Sequence, residues 1–364
     1  MSKGAATEAW TGVHAFVVGS CRPRVDFRPR LSTVTLAAIA CLGCQPDPPT
    51  QYEFSGRAMG TTYIVKLTPT EPVDDSNLEP LRAAIDKAID NVDLAMSTYR
   101  PDSELSRFNA ASAAEPPELS AATLSVFQAA AEIGRLTGGA LDPTVGALVN
   151  AWGFGPGERR DLSDAEIDSL RAQTGWDKLA VGSHGVTKLA DGVACDLSAI
   201  AKGYAVDRVS ETLAGLGQTN HMVDIGGEIR TSGHNSEGRA WRIAIEKPET
   251  AGGIQRAVSL DNLSMATSGD YRNYYEKDGI RLSHTIDPRT GRPVAHHLAS
   301  VAVIEPTCMR ADGFATALMV LGEDEGYALA ERLELTALFI VRTDEGFEER
   351  PTPAFTKRFL HPDR

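Results

Sequence analysis

Three polar stretches lie inside otherwise apolar sequence, and the first is residues 196–209, DLSAIAKGYAVDRV. Apolar residues recur every three to four positions after it, which predicts an amphipathic helix, and residues 192–195 predict a short buried strand before it. Unpaired N–H groups and the dipole at the start of such a helix favour an anion. Lys202 could therefore hold a phosphate, and Asp196 with free carbonyls could hold a hard cation. The alternative is that Asp196 or Ser198 only caps the helix and Lys202 is solvated.

The second stretch, residues 311–316, lies within a predicted helix and contains Asp312 and Thr316. Residues four apart share one helix face, so the carboxylate and the hydroxyl lie together. Both are hard oxygen ligands, which suit Mg²⁺ better than zinc. The glycine after Asp312 costs the helix about 1 kcal/mol, which hints at function. A solvated Asp312, with Thr316 bonded back to the chain, is the alternative.

The third stretch, residues 283–291, reads SHTIDPRTG and follows a predicted strand into a Pro/Gly turn. His284 could act there as a general base or a phosphate ligand, although a lone histidine is more often structural. The sequence contains no GxGxxG fingerprint, P-loop, HExxH or GxSxG motif. If the protein acts on a nucleotide, it therefore does so without any of these common motifs.

Composition and charge limit the class of protein. The chain has 364 residues, 42% of them hydrophobic, and a formal net charge of −13. This acidity argues against a nucleic-acid partner. The five cysteines, Cys21, Cys41, Cys44, Cys195 and Cys308, form neither a disulfide framework nor a zinc spacing. An acidic protein that binds a phosphorylated ligand needs local basic side chains or a metal ion.

The N-terminal region resembles an export signal. Arg28 and Arg30 precede an apolar run at residues 31–43, which ends at Cys44. The run is shorter than the roughly 20 residues that span a bilayer, and a small residue before a cysteine is typical of a lipoprotein cleavage site. We therefore expect residues 1–50 to be a leader and tether, with a lipidated Cys44 anchoring the protein to a membrane. Cys41 stands where leucine is usual, and a buried N-terminal helix is the alternative.

The remaining pattern predicts an α+β fold with mixed or antiparallel sheets and packed helices in a single compact domain over residues 52–355. Strands are expected at residues 52–67 with a break at 59–61, 221–225, 228–232, 241–246, 300–304 and 337–341, with a hairpin at 274–287 that turns at 278–279. Helices are expected after capping boxes at Ser76 and Ser163, at 120–136, from Asp142 as N-cap to about 152, at 307–321 and at 325–333.

Nine motifs, in order, resemble the FAD:protein FMN transferase (ApbE-like) family. They are MGTTY (59–63), STYRPDSELSRFN (97–109), ALDPTVG (140–146), WGFGP (152–156), DLSAIAKGYAVD (196–207), IGGEIR (225–230), ATSGDYRNY (266–274), SHTIDPRTGRPV (283–294) and ADGFATAL (311–318). Each motif alone is weak, but nine in order are specific. Asp224 and His221 depart from the asparagine and the small residue that the family usually has there.

The resemblance implies a periplasm-facing lipoprotein that binds FAD and Mg²⁺ and acts as a flavin transferase. Such an enzyme moves the FMN half of FAD onto a threonine hydroxyl of a flavin-accepting protein, such as a subunit of a membrane redox complex, and releases AMP. By position, the flavin or adenosine contacts are Met59, Tyr99, Ala140, Leu141, Asp142, Asp196, Lys202 and Ile286. The implied metal ligands are Asp312, Thr316 and the carbonyl of Ala199, and His284 and Asp287 lie beside the reacting phosphate.

Two other functions remain open from the sequence. An Mg²⁺-dependent FAD pyrophosphatase would use the same phosphate and metal groups with water in place of the threonine. A flavin-binding lipoprotein without transfer activity would need neither His284 nor the pair of Asp312 and Thr316. The presence of these three residues favours catalysis over storage.

Overall fold

The computed structural model describes residues 50–71, 73–249, 252–271, 274–277 and 280–360. The predicted leader and Cys44 lie outside these ranges. Within them, no helix is both long enough and apolar enough to cross a membrane.

Strands and helices alternate irregularly along the chain, as expected for an α+β fold. The strands are β1 (Tyr52–Ala58), β2 (Thr61–Leu67), β3 (Leu179–Val181), β4 (Val186–Lys188), β5 (His221–Ile225), β6 (Glu228–Ser232), β7 (Trp241–Glu246), β8 (Ile254–Leu260), β9 (Ser264–Gly269), β10 (Tyr274–Lys277), β11 (Ile280–Ser283), β12 (Ile286–Asp287), β13 (Arg292–Pro293), β14 (Leu298–Glu305), β15 (Thr336–Thr343) and β16 (Gly346–Pro351). The helices are α1 (Asp75–Met96), α2 (Glu104–Ala110), α3 (Ala121–Leu136), α4 (Gly146–Trp152), α5 (Asp164–Arg171), α6 (Ala201–Gly215), α7 (Cys308–Arg332) and α8 (Pro353–Phe355).

The central element is an eight-stranded sheet in the order β1-β2-β5-β6-β9-β14-β15-β16. Every neighbouring pair is antiparallel. Side chains alternate between the two faces of a strand. On β14, Val301 and Val303 join the larger core with α1, α3, α6 and α7, whereas Ala302 and Ile304 join a second core with Trp241. Because β14 is covered on both faces, its sequence is a nearly continuous apolar run.

Most predicted elements are confirmed, including the α+β class and its antiparallel sheet. The predicted break in the first strand is the β1–β2 turn, where Met59 and Gly60 have φ values of 48° and 78°. The capping box at Ser163 is present at the start of α5. Strands β10 and β11 pair as a hairpin, and its expected turn at 278–279 lies outside the described residues. The predicted break between the helices at 307–321 and 325–333 corresponds to Gly322, whose φ of 80° interrupts α7.

Two predicted helix starts are wrong. Helix α1 begins after Asp74, whose side chain accepts a hydrogen bond from the N–H of Ser76, so Ser76 is not the N-cap. Helix α4 begins only at Gly146. The Asp142 carboxylate is used in a turn instead, because it accepts the N–H of Thr144 at 2.8 Å and its hydroxyl at 2.6 Å.

The strand predicted at residues 192–195 is also wrong. Only Ala194 forms a bridge there, in parallel with Val145. The side chain of Asn109 takes the place of a partner strand, since its amide donates to the carbonyl of Cys195 and accepts the N–H of the same residue, both at 2.7 Å. These two bonds connect the end of α2 to the segment that precedes Asp196.

Candidate functional site

The first turn of α6, the start of β6 and the second turn of α7 bring three charged side chains together. The ammonium of Lys202 lies 2.8 Å from Oε1 of Glu228 and 3.8 Å from Oδ1 of Asp312. Glu228 and Asp312 are 3% and 2% exposed. This is an ion cluster in which two buried carboxylates flank one cation, whose own side chain is 28% exposed.

Burial and mutual charge shift the pKa values of all three groups. Burial raises the pKa of Asp312, and Lys202 opposes that rise. Burial likewise raises the pKa of Glu228, and the charge of Lys202 opposes that rise. Burial alone would lower the pKa of Lys202, but the two carboxylates outweigh it and the pKa is raised. The lysine is therefore held as a cation.

Oxygen atoms converge one helical turn further along α7. The hydroxyl of Thr316 lies 3.5 Å from the carbonyl oxygen of Ala199 and 3.3 Å from the hydroxyl of Ser268 on β9. Asp312 lies on the same face of α7, as its spacing from Thr316 predicts. The three predicted metal ligands are thus brought to one place.

The donor set fits a hard cation of the Mg²⁺ type. It consists of a carboxylate, a hydroxyl and a backbone carbonyl, and Mg²⁺ commonly binds to one or two carboxylates while keeping several waters. Among the described residues, no group of three or more His, Cys, Asp or Glu side chains could hold a metal.

Glycine allows the two helices to approach this closely. A Cβ atom on Gly203 would lie 2.4 Å from the carbonyl oxygen of Cys308 and 2.8 Å from Cβ of Asp312. The N–H of Gly203 donates to Oδ2 of Asp312 at 2.9 Å. This residue both permits the contact between α6 and α7 and orients the carboxylate.

Aromatic side chains connect two other predicted site residues. Tyr99 is 59% exposed, and its hydroxyl donates to the carbonyl of Phe154 at 3.2 Å. Burial of the hydroxyl and the charge of Asp196 raise the pKa of Tyr99. The ring of His284 meets the ring of Phe154 edge-on, with centroids 6.3 Å apart, and Tyr275 stacks on the same phenylalanine. Tyr99 and His284 therefore both contact Phe154, and Asp196 lies near enough to Tyr99 for its charge to affect the hydroxyl.

Asp287 is engaged by a cation. Its carboxylate accepts the backbone N–H of Arg289 at 2.8 Å and pairs with the guanidinium at 3.0 Å. Arg289 also pairs with Glu325 of α7, and β12 itself contacts α7. The SHTIDPR segment is thus fixed to the helix that carries Asp312.

The predicted Ala140-Leu141-Asp142 segment is buried at the rim of a cavity of about 560 Å³. Asp142 and Arg289 both line this cavity. The carbonyl of Leu141 accepts the indole N–H of Trp176, another lining residue, at 2.9 Å. The cavity joins the 140–142 segment to the 283–291 stretch.

Two further predicted residues do not contact the ion cluster. Met59 lines a second cavity, of about 450 Å³ between the β1–β2 hairpin and α1, and no other predicted site residue is among its lining residues. Ile286 is 6% exposed, and its side chain packs with Leu148, Trp152 and Ile167.

A family model places this arrangement in a known group of proteins. The model of the ApbE family matches residues 59–339. The chain belongs to the ApbE family. The resemblance expected from the nine motifs is confirmed by this match.

Curated and solved relatives cover nearly the same length. A protein of Vibrio cholerae named FAD:protein FMN transferase is 47% identical over 331 residues, which is 90% of this chain and 98% of that protein. The solved flavin transferase ApbE of Vibrio cholerae is 46% identical with a TM-score of 0.77, and covers 86% of this chain and 100% of its own. The apo flavinyl transferase ApbE of Pseudomonas stutzeri is 40% identical with a TM-score of 0.78, and covers 86% and 98%.

Several residues at the ApbE site were not singled out from the sequence. Glu228, Ser268 and Phe154 occur inside quoted motifs but carried no predicted role. Glu228 had a usable signal, because a glutamate directly after Gly226-Gly227 begins a strand that is mostly buried. Ser268 and Phe154 had none, since their roles arise from partners distant in sequence.

Proposed function

We propose that this ApbE-family chain is an enzyme that transfers the FMN half of FAD to a hydroxyl of a partner protein. The names of its relatives support flavin transfer from FAD. The observation that carries the proposal is the convergence of Lys202, Asp312, Thr316 and the Ala199 carbonyl in one place. A storage protein has no need for a buried cluster of this charge and donor type.

The reaction is a phosphoryl transfer within the pyrophosphate of FAD. The oxygen of an acceptor threonine attacks the phosphorus on the FMN side, and the bond to the AMP phosphate breaks. AMP leaves with the electron pair of that bond, and the threonine hydroxyl loses its proton. The products are a phosphoester-linked FMN on the acceptor and free AMP.

The chain supplies a metal site and a cation for this chemistry. Asp312, Thr316 and the carbonyl of Ala199 would hold Mg²⁺, which neutralises the charge that builds on phosphate oxygens. Lys202 is held as a cation by its two carboxylates and lies beside that site. Because these carboxylates balance the charge of Lys202, the metal ion would supply the positive charge that a protein of net charge −13 needs to bind a pyrophosphate.

His284 is the proposed proton acceptor, and Asp287 is a positioning residue. A histidine can take a proton near neutral pH. The imidazole of His284 lies at the aromatic edge beside Phe154, two residues before Ile286 of β12. Asp287 and Arg289 fix this segment against α7 through Glu325. The arrangement holds the base on the same framework as the metal ligands.

The decisive experiment is incubation of the protein with FAD, Mg²⁺ and a candidate acceptor, followed by intact-mass measurement and AMP assay. We expect slow AMP release without acceptor, faster release with it, and one FMN mass added on a threonine. AMP and free FMN without a labelled acceptor would establish the pyrophosphatase instead. FAD binding without AMP release would establish a flavin-binding protein.

Export and lipid attachment form a separate proposal, supported by the apolar run that ends at Cys44. We expect a periplasm-facing, membrane-anchored protein in a Gram-negative host. Cys44→Ser should accumulate as an unlipidated or uncleaved precursor. Mass spectrometry of the wild-type N-terminus that found an unmodified Met1 would contradict this proposal.

A further inference from the structure

Glu228 is a buried carboxylate of which only one oxygen, Oε1, has a hydrogen-bond partner among the described residues. It begins β6 directly after the Gly226-Gly227 turn, which is closed by a hydrogen bond from the N–H of Gly227 to Asp224 at 2.9 Å. Oε1 lies 2.8 Å from the ammonium of Lys202. Oε2 is buried and has no hydrogen-bond partner among the described residues. Buried carboxylates normally have hydrogen-bond partners on both oxygens, so the half-paired carboxylate of Glu228 calls for an explanation.

The explanation lies in the unequal contacts of Lys202 with the carboxylates of Glu228 and Asp312. At 2.8 Å from Glu228 it makes a charge-assisted hydrogen bond, whereas 3.8 Å from Asp312 is beyond hydrogen-bond length. Oδ2 of Asp312 already accepts the N–H of Gly203. Oδ1 is therefore the oxygen for which a lysine and a metal ion would compete.

We propose that Glu228 is a positioning residue that holds Lys202 away from Asp312 and so keeps Oδ1 of Asp312 available for the metal ion. This inference rests on the metal site of the proposed function. Glu228 and Lys202 form a neutral pair, which leaves the charge of Asp312 to a cation. Without Glu228, the ammonium needs to move only about 1 Å to make a hydrogen bond with Asp312.

The inference predicts a specific pattern among three variants. In Glu228→Gln, Lys202 moves onto Asp312, and metal affinity falls about 10- to 100-fold, the worth of one hydrogen bond to a charged group. In Lys202→Met/Glu228→Gln, the competing cation is gone, and affinity returns to about the wild-type value. In Lys202→Met alone, affinity is at least that of the wild type.

The test is a titration of Mn²⁺ into each protein without FAD or acceptor, followed by electron paramagnetic resonance of free Mn²⁺. Mn²⁺ takes the same oxygen ligands as Mg²⁺. Glu349→Gln is the matched control, because Glu349 is a mostly buried carboxylate paired with Arg256 on other strands. It should bind Mn²⁺ as the wild type does. Thermal unfolding identifies any variant that fails to fold.

The possible outcomes separate this inference from the proposed function. Wild-type protein that binds no Mn²⁺ would overturn the metal site, and the role of Glu228 with it. If the wild type binds Mn²⁺ and Glu228→Gln binds equally well, only the role of Glu228 is overturned. A double variant as weak as Glu228→Gln would also overturn it. If Glu228→Gln does not fold, weaker binding by Lys202→Met than by the wild type would refute the competition.

Discussion

Gly203→Ala tests whether the close approach of α6 and α7 builds the site. The new Cβ would meet the carbonyl oxygen of Cys308 at 2.4 Å and its carbon at 2.7 Å. Carbon contacts are most favourable at about 3.5–4.0 Å, so the helices must separate by roughly 1 Å. The obstructing atoms are backbone and cannot rotate away.

Two opposing terms set the magnitude of the effect. Overpacking a buried contact costs about 1–3 kcal/mol, whereas alanine in place of glycine favours a helix by about 1 kcal/mol. We expect a net loss of about 0–2 kcal/mol, and so a fall in Tm of at most a few degrees. Transfer should suffer more, because a displacement of about 1 Å near the chemistry can cost about 100-fold in rate.

The assay compares Gly203→Ala with Gly215→Ala by thermal unfolding and by the Mg²⁺ dependence of FMN transfer. Gly215 ends the same helix, and a Cβ there meets nothing within 4 Å. Its variant should be as stable as the wild type or slightly more so, with unchanged transfer. Equal stability and equal Mg²⁺ dependence of the two variants would refute the argument that the helix contact positions Asp312.

Three further predictions concern single side chains. Asp312→Ala should abolish Mg²⁺-dependent turnover and largely spare FAD binding measured by fluorescence titration; unchanged turnover would remove Asp312 from the site. His284→Ala should slow transfer about 10²–10⁴-fold with FAD affinity little changed, and a wild-type rate would exclude it as the base. Burial lowers the pKa of His221 from its ordinary 6.5, so the unfolded chain binds more protons below that pH. The free energy of unfolding should then fall as pH drops below about 6.5, and less so in His221→Gln; identical pH profiles would contradict this.

The proposed metal ligands on α7 were predictable because their relation is local. Asp312 and Thr316 share a face by helix geometry alone, and the structure keeps that relation. Lys202 was predictable for a similar reason, as a lysine in the first turn of a helix with a periodic apolar face. That these residues meet was inferred from the resemblance to a family, since no spacing within the chain relates α6 to α7.

The roles of Glu228 and Asp142 could not be predicted locally. Glu228 acquires its role from Lys202 on a different element, through a contact that depends on how β6 and α6 pack. Asp142 before a proline has the pattern of a helix N-cap, yet Thr144 offers its carboxylate two donors two residues later. A short turn satisfies the aspartate there, and the helix begins only at Gly146.

The motif at residues 196–207 extends past Lys202, and its last residue, Asp207, has a role of its own. Thr307, the N-cap of α7, makes no side-chain capping bond. Instead the buried carboxylate of Asp207 accepts the N–H groups of Cys308 and Met309, both at 2.9 Å, and is paired with Arg230 at 2.6 Å. Those N–H groups carry the positive end of the helix dipole, which a carboxylate stabilises. Residues 196–207 thus contribute Lys202 to the site and also fix the start of the helix on which Asp312 lies.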